Sequence, residues 1–307
     1  MEKNVTLVLS GGGARGFAHI GAIEEIESRG YKIRSIAGTS MGALVGGVYA
    51  AGKLNEFKEW AYNLDKQKVF KLIDFSFSNQ GLIKGDRVLG AMKKFIPDEN
   101  IEDLKIKYTA TAFDLALNKE VVFNQGSLYD AIRASIAIPT VFTPVISGNS
   151  LLVDGGVVNN IPISNAIRTE NDTLIAVYVN ADVPVHQIKV PEKKKKQDLY
   201  IQKIKEFRKS LNRSGSTDER RNFHYFNLMN DTIACMTNHL SIMVIKDTPP
   251  DIFVEISKKS CGTFDFYKAE ELVEIGRFAT QEKFESLQNK KSNLDWVDFG
   301  EIDNMLL

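Results

Sequence analysis

A serine flanked by glycines stands near the N-terminus, in the pentapeptide Gly38-Thr39-Ser40-Met41-Gly42. A predicted strand, Ile33 to Ala37, precedes it, and a helix of small residues, Ala43 to Ala51, follows it. A G-x-S-x-G sequence between a strand and a helix is typical of a nucleophile elbow, whose sharp turn exposes the serine hydroxyl. We therefore expect Ser40 to be a nucleophile, with Gly38 and Gly42 forming its elbow. The alternative is a helix N-cap serine in an ordinary turn.

A second glycine-rich loop follows the predicted buried strand Val5 to Leu9. It fits the dinucleotide pattern G-x-G-x-x-G, but the second strand ends without the carboxylate that this pattern requires. A P-loop is also excluded, because Phe17 stands where lysine is needed. The third interpretation, an oxyanion hole, explains both glycine motifs together, since a serine nucleophile needs converging N–H donors. The candidate residues of this hole are Gly11, Gly12, Gly13, Ala14, Arg15 and Gly16.

A serine nucleophile also needs a base. The histidines are His19, His186, His224 and His239. The order serine, acid, histidine of α/β-hydrolases would fit His239, but their elbow follows several strands, whereas Ser40 follows only the second. Asp154 is the better candidate: it ends a short apolar strand and begins a turn with Gly155 and Gly156. An ordinary tight turn is the alternative at this position, and His19 is expected to be a packing residue.

The predicted elements form a pattern that should bring these residues together. Strand, turn and helix occur twice within residues 5–51, which indicates a βαβα arrangement and a largely parallel sheet. The segment from Glu56 to Phe95 is predicted to be helices joined by loops, and its stretch Val69 to Phe75 is a candidate acyl-chain pocket, lid or core segment. Later strands and helices are predicted at 108–113, 120–123, 128–135, 151–153, 173–179, 252–256 and 267–288.

The three motifs, in this order and spacing, resemble the patatin-like phospholipase family. Two further stretches resemble it as well, Ala134 to Pro144 and Asn159-Asn-Ile-Pro162. The resemblance is close from about Val5 to Asp182 and weaker from about Asp251 to Ala279. One departure is Thr140, where many members have glycine.

This resemblance implies an α/β fold, a three-layer α/β/α sandwich with a mainly parallel central sheet. It also implies a serine acyl hydrolase that cleaves carboxylic esters of phospholipids or lysophospholipids, with a Ser40–Asp154 dyad and an acyl-enzyme. No metal and no cofactor are implied. An acyltransferase or neutral-lipid esterase would share every motif. A non-catalytic lipid-binding or regulatory protein on the same fold is the alternative from another class.

Composition and charge limit the remaining possibilities. Lys+Arg and Asp+Glu both total 39, so no global basicity indicates a nucleic-acid partner. Two cysteines are too few for a disulfide framework and favour a reducing compartment. Without an apolar run of about 18–20 residues or a secretory signal, we expect a cytoplasmic protein, with peripheral membrane contact as a further hypothesis.

The charge is unevenly distributed along the chain. Residues 189–221 carry 12 Lys/Arg and 5 Asp/Glu, and the apolar residues Tyr200, Ile204, Phe207 and Leu211 recur on one helical face. Either a solvated surface helix or a membrane-contacting segment fits this pattern. The expected organisation is an acyl hydrolase domain over residues 1–290 with an elaborated basic segment at 185–250, followed by an acidic tail at 291–307.

Overall fold

The computed structural model describes residues 3–72, 75–78, 81–185 and 225–294 of the 307-residue chain. In this part of the chain the strands are β1 (Lys3–Leu9), β2 (Tyr31–Thr39), β3 (Phe75–Ser78), β4 (Gly81–Ile83), β5 (Lys107–Asp114), β6 (Lys119–Phe123), β7 (Val145–Ser147), β8 (Ser150–Asp154), β9 (Thr173–Ala181) and β10 (Ile252–Ser257). The α-helices are α1 (Ala18–Ser28), α2 (Met41–Ala50), α3 (Leu54–Tyr62), α4 (Lys66–Leu72), α5 (Asp86–Met92), α6 (Leu128–Ser135), α7 (Tyr225–Asp247) and α8 (Ala269–Leu294).

One mixed sheet organises the molecule. Its strand order is β10-β9-β1-β2-β5-β8-β7, and β6 also pairs with β5 outside this order. The five strands from β10 to β5 run parallel, while β6, β7 and β8 are antiparallel to their neighbours. Because β1, β2 and β5 are parallel, their carboxyl ends lie at one edge of the sheet, which is where α/β proteins place their sites.

Helices cover both faces of this sheet. Along β1, Leu7 and Leu9 pack into one hydrophobic cluster with α1, α2 and α8, whereas Val8 packs into a second cluster on the opposite face. Residues Val244 and Ile245 of α7 pack against this second cluster. Alternate side chains of a strand point to opposite faces, so a strand buried on both sides needs a continuous apolar run. The predicted three-layer α/β/α sandwich with a mainly parallel sheet is thereby confirmed.

One predicted region differs from the structure. The segment from Glu56 to Phe95 was expected to contain only helices and loops, but β3 and β4 pair there as an antiparallel hairpin. The alternating sequence Phe-Ser-Phe-Ser of β3 has the two-residue period of a strand, which explains the difference. The sequence prediction was wrong at this point.

Some expectations fall outside the described residues. These are the basic stretch 189–221 with its apolar face, His186 and His224, and most of the tail 291–307. The C-terminal part of segment 185–250 is α7. Within the described ranges, no helix is both long and apolar enough to cross a membrane.

Candidate active site

Ser40 occupies a sharp turn between β2 and α2. Its backbone has φ 55° and ψ −124°, an unusual conformation for a residue with a side chain, which costs about 1–3 kcal/mol. A Cβ atom on Gly38 would lie 2.5 Å from the backbone nitrogen of Ala43, and one on Gly42 would collide with the carbonyl oxygen of Leu9. The two glycines therefore allow the close backbone approaches that the elbow requires.

The Asp154 side chain contacts this elbow. Asp154 ends β8, which pairs antiparallel with β5 through Ala112, and its carboxylate accepts hydrogen bonds from the Ser40 hydroxyl and from the backbone N–H of Gly156, the latter at 2.7 Å. A Cβ atom on Gly155 would collide with the carbonyl oxygen of Thr111. The Asp-Gly-Gly turn thus lies tightly against β5 and brings the carboxylate to the serine.

Burial changes the acidity of Asp154. Loss of solvation raises the pKa of its carboxyl group to about 7, although the hydrogen bonds from Ser40 and Gly156 act in the opposite direction. A carboxylate with this pKa is a far better proton acceptor at neutral pH than an exposed aspartate, whose pKa is about 3.9. The serine and the carboxylate therefore form a pair suited to general-base activation of a nucleophile.

The glycine loop provides backbone donors beside the pair. The N–H of Gly11 donates to the carbonyl oxygen of Asn160 (3.0 Å), and that of Ala14 donates to the carbonyl oxygen of Thr263 (2.9 Å). Among the described residues, the N–H groups of Gly12 and Gly13 donate none of the backbone hydrogen bonds that hold the loop in place. These two donors are thus the ones available to an anionic oxygen in the cleft that they share with Ser40.

Arg15 lines the same cleft as the pair and supports the loop through hydrogen bonds. Its guanidinium donates to Oδ1 of Asn180 (2.9 and 3.1 Å) and to the carbonyl oxygen of Cys261 (3.2 Å). The Asn180 side chain in turn donates to the carbonyl oxygen of Gly11 (2.7 Å). Burial lowers the pKa of Arg15 from its ordinary value. Gly16, the last residue of the loop, packs against the Met41 side chain so closely that a Cβ would collide with it.

Histidine is not part of this arrangement within the described residues. His19 is fully buried behind the glycine loop, where its Nε2 donates to the carbonyl oxygen of Ser10 (2.8 Å). Burial lowers the pKa of His19 to about 4, so its ring is neutral at physiological pH. His239 lies exposed on α7. The described residues also contain no cluster of three His, Cys, Asp or Glu side chains suited to a metal ion.

Two spaces that differ in polarity meet at Ser40. The first, the apolar cavity, measures about 410 Å³ and is lined by helix side chains, by residues between 136 and 142, and by Phe264 and Phe266. The second, the polar cleft, measures about 480 Å³ and contains Asp154 and the glycine loop. The two spaces share the wall residues Gly13, Ser40, Ile138, Val141 and Phe264. An ester bond at Ser40 would therefore have an apolar space on one side and a polar one on the other.

Two supporting residues were not assigned from the sequence. Asn180 had one available signal, since it is a polar residue near the carboxyl end of the buried parallel strand β9, where ligand sites occur. Ser135 lies in a stretch that the family resemblance included, but its sequence neighbours give no indication of a role. Val69 and Leu72, from the segment proposed as an acyl-chain pocket, line the apolar cavity.

Comparison with known proteins finds a family model, related sequences and a solved structure that match this chain. A sequence model described as Patatin-like phospholipase matches residues 7–167. An uncharacterized NTE family protein of Mycobacterium tuberculosis is 31% identical over 334 aligned positions, covering 94% of this chain and 93% of that protein. The lysophospholipase NTE1 of Candida glabrata is 27% identical over 280 positions, which are 89% of this chain but 15% of that protein. Among solved structures, VipD from Legionella pneumophila aligns over 93% of this chain and 67% of its own, with a TM-score of 0.49 and 13% identity.

Proposed function

We propose that this chain, which belongs to the patatin-like phospholipase family, hydrolyses carboxylic esters of phospholipids or lysophospholipids with a Ser40–Asp154 dyad. Family membership makes it a lipid ester hydrolase. The finer mechanism rests on one observation, the hydrogen bond between the Ser40 hydroxyl and a buried carboxylate whose pKa is about 7.

The proposed first step acylates Ser40. Asp154 accepts the hydroxyl proton while Oγ forms a bond to the ester carbonyl carbon, and the resulting oxyanion accepts hydrogen bonds from the N–H groups of Gly12 and Gly13. When the tetrahedral intermediate collapses, the bond to the leaving alcohol breaks and Asp154 returns the proton to that oxygen. In the second step Asp154 activates a water molecule, which releases the fatty acid and restores Ser40.

The two spaces around Ser40 suggest how the substrate lies. An acyl chain in the apolar cavity removes its methylenes from water, which contributes about 0.8 kcal/mol for each one. The polar cleft then holds the glycerol and head group, and it also gives water access to the acyl-enzyme. Access for water favours hydrolysis over transfer to a second lipid.

Covalent labelling tests the proposed nucleophile. The native chain should react with a fluorophosphonate probe, because a serine that attacks carbonyl carbon also attacks phosphorus. The Ser40→Ala variant should not be labelled, whereas labelling that persists in this variant would contradict the assignment. A non-catalytic lipid-binding protein would bind lipid vesicles without being labelled. Mass spectrometry of products from a mixed lipid extract then identifies the head group, and it separates free fatty acid from a transferred acyl chain.

A set of matched variants distinguishes the dyad from a triad. Asp154→Asn should lower kcat/KM by at least about 10³-fold, nearly as much as Ser40→Ala, because both remove a group that acts in the same step. Single replacements His19→Gln, His186→Ala, His224→Ala and His239→Ala should keep most of the activity. A folded histidine variant as inactive as Ser40→Ala would show instead that this histidine is the base.

Contact with a membrane surface is a separate proposal for residues 189–221, which lie outside the described part of the chain. These residues carry 12 Lys/Arg against 5 Asp/Glu. Each basic side chain near an anionic lipid surface contributes about 1 kcal/mol, and salt screens this attraction. Co-sedimentation with anionic vesicles should therefore weaken as salt rises, and equal binding to neutral vesicles at every salt concentration would contradict the proposal.

A further inference from the structure

The turn that follows α6 contacts both members of the Ser40–Asp154 pair. Ser135, the last residue of α6, accepts a hydrogen bond at Oγ from the backbone N–H of Ser40 (2.9 Å). Its own hydroxyl donates to the carbonyl oxygen of Thr111 (2.6 Å). The Ser135 side chain is fully buried and belongs to neither the apolar cavity nor the polar cleft. Ser135 therefore contacts Ser40 and β5 but does not line a space that substrate could occupy.

The same turn also supports the carboxylate. Two residues after Ser135, the carbonyl oxygen of Ala137 accepts a hydrogen bond from the backbone N–H of Asp154 (2.9 Å). Thr111, the acceptor for Ser135, is also the residue against whose carbonyl Gly155 packs. One short segment, 135–137, thus bonds to the backbone of the serine and to the backbone of the aspartate.

The elbow conformation explains why Ser40 needs this partner. Ser40 precedes the first residue of α2, so its N–H has no acceptor within that helix. The residue is almost fully buried, and an unpaired buried N–H is unfavourable. Its positive φ makes the conformation strained as well. Without the Ser135 acceptor, the Ser40 backbone would lower its free energy by rotating out of the elbow conformation. Its Oγ would then move away from the Asp154 carboxylate.

We propose that Ser135 is a positioning residue that holds the Ser40 backbone in the elbow conformation, so that Oγ of Ser40 remains hydrogen-bonded to Asp154. This role rests on the proposed function. It also gives the Ala134–Pro144 stretch a role in positioning the nucleophile. It predicts that loss of the Ser135 hydroxyl slows acylation and leaves substrate binding unchanged.

The test compares Ser135→Ala with Ser257→Ala in the full-length protein. Ser257 is a matched control: it is also fully buried, its hydroxyl donates to the carbonyl oxygen of Val183 (2.6 Å), and it accepts from the N–H of Lys259 (3.3 Å). Ser135→Ala should lower kcat by about 10–100-fold with KM changed less than twofold, and fluorophosphonate labelling should slow by the same factor. Ser257→Ala should keep kcat within about threefold of the native value.

The pH profile of kcat/KM distinguishes positioning from a purely structural role, because a purely structural role would leave its midpoint unchanged. The hydrogen bond from Ser40 lowers the pKa of Asp154, so displacement of the hydroxyl in Ser135→Ala should shift the midpoint of kcat/KM to higher pH. Ser135→Cys keeps a weak donor and acceptor at this position and should lie between the native chain and the alanine variant. It carries the test if Ser135→Ala does not fold.

Three results would overturn the positioning role. These are an unchanged kcat and pH midpoint in Ser135→Ala, a loss shared equally by Ser257→Ala, and a loss confined to KM. Failure of the proposed function is distinguishable, because it appears as activity or labelling that remains in Ser40→Ala. An inactive Ser40→Ala together with an unaffected Ser135→Ala contradicts only the positioning role.

Discussion

The apolar cavity and the polar cleft share Ser40, yet different parts of the fold build them. The cavity is lined by side chains of α2, α3, α4 and α5, including Leu44, Phe57, Trp60, Val69 and Met92. The cleft is lined by the glycine loop, by the carboxyl ends of β8 and β9, and by α7. Side chains of four helices thus form part of the wall of the cavity, together with residues between 136 and 142, whereas the cleft is lined by loops, strand ends and α7.

Under the proposed function, this difference predicts two modes of recognition at one ester bond. Aliphatic and aromatic walls distinguish acyl chains by length and shape, since they offer few directional contacts. The cleft contains Arg15, Asn180, Asp231, Asn238 and Lys258, whose polar groups favour partners with matching hydrogen bonds and charge. Changes to the cavity should therefore alter chain-length preference, whereas changes in the cleft should alter the chemical step for every chain length.

Among the tests that separate the cavity from the cleft, filling the apolar cavity has the largest expected effect. Val69→Trp places a larger side chain in its wall, and exclusion of about four methylenes removes about 3 kcal/mol of burial. We expect kcat/KM for a long-chain ester to fall about 100-fold and that for a butyryl ester to change less than about threefold. The measurement is kcat/KM across a series of acyl lengths.

A control for this variant lies on the same helix. Gln67 is exposed and does not line the cavity, so Gln67→Trp adds the same side chain to α4 without filling the space. It should leave the chain-length profile unchanged. An equal loss for short and long esters in Val69→Trp would mean that the cavity does not hold the acyl chain.

A smaller effect is expected from pH, and it should be independent of chain length. Asp154 lies in the cleft and its pKa is about 7; under the proposed mechanism it must be ionised to accept the serine proton. The value of kcat/KM should therefore rise about tenfold from pH 6 to pH 8 for both butyryl and long-chain esters. Different midpoints for the two substrates would show that the cavity also controls the protonation step.

The same carboxyl group affects stability with a definite sign. The folded chain keeps the Asp154 proton up to about pH 7, whereas the unfolded chain releases it near pH 4. The folded state binds more protons in this window, so this group makes the free energy of unfolding fall as pH rises from 4 to 7. Asp154→Asn should remove this contribution, which urea unfolding at pH 5 and pH 8 will measure. If the free energies of unfolding of the native chain and Asp154→Asn differed by the same amount at both pH values, this prediction would be contradicted.

The smallest expected effect concerns the cavity wall at Thr140. This residue has φ 70°, a left-handed conformation that is strained for a β-branched side chain. Thr140→Gly and Thr140→Ala both remove the hydroxyl and the γ-methyl, but only glycine also removes the Cβ atom that causes the strain. We expect the glycine variant to have a free energy of unfolding about 1 kcal/mol above that of the alanine variant. Equal stabilities in denaturant titrations would mean that the backbone relaxes there without cost.

Sequence patterns predicted the local parts of this molecule well. The strand–turn–helix order around Ser40 and the helix at 128–135 depend on neighbouring residues, so periodicity and glycine placement were sufficient. The bond between Ser40 and Ser135 joins residues 95 positions apart, and that between Gly11 and Asn180 spans 169. Local patterns carry no information on such distant pairs. The stretch Val69 to Phe75 was a candidate for one wall of the apolar cavity, but the remaining walls could not be predicted because several separate elements provide them.

The shared wall at Ser40 has a kinetic consequence under the proposed mechanism. The alcohol product departs from the polar cleft while the acyl chain still occupies the apolar cavity, so the fatty acid is always the last product to leave. Each added methylene makes the fatty acid bind more tightly in the cavity. Beyond some chain length, release of the fatty acid therefore becomes slower than the chemical steps. Turnover at saturating substrate should then pass through a maximum with chain length, and free fatty acid should compete with fresh substrate for the resting enzyme.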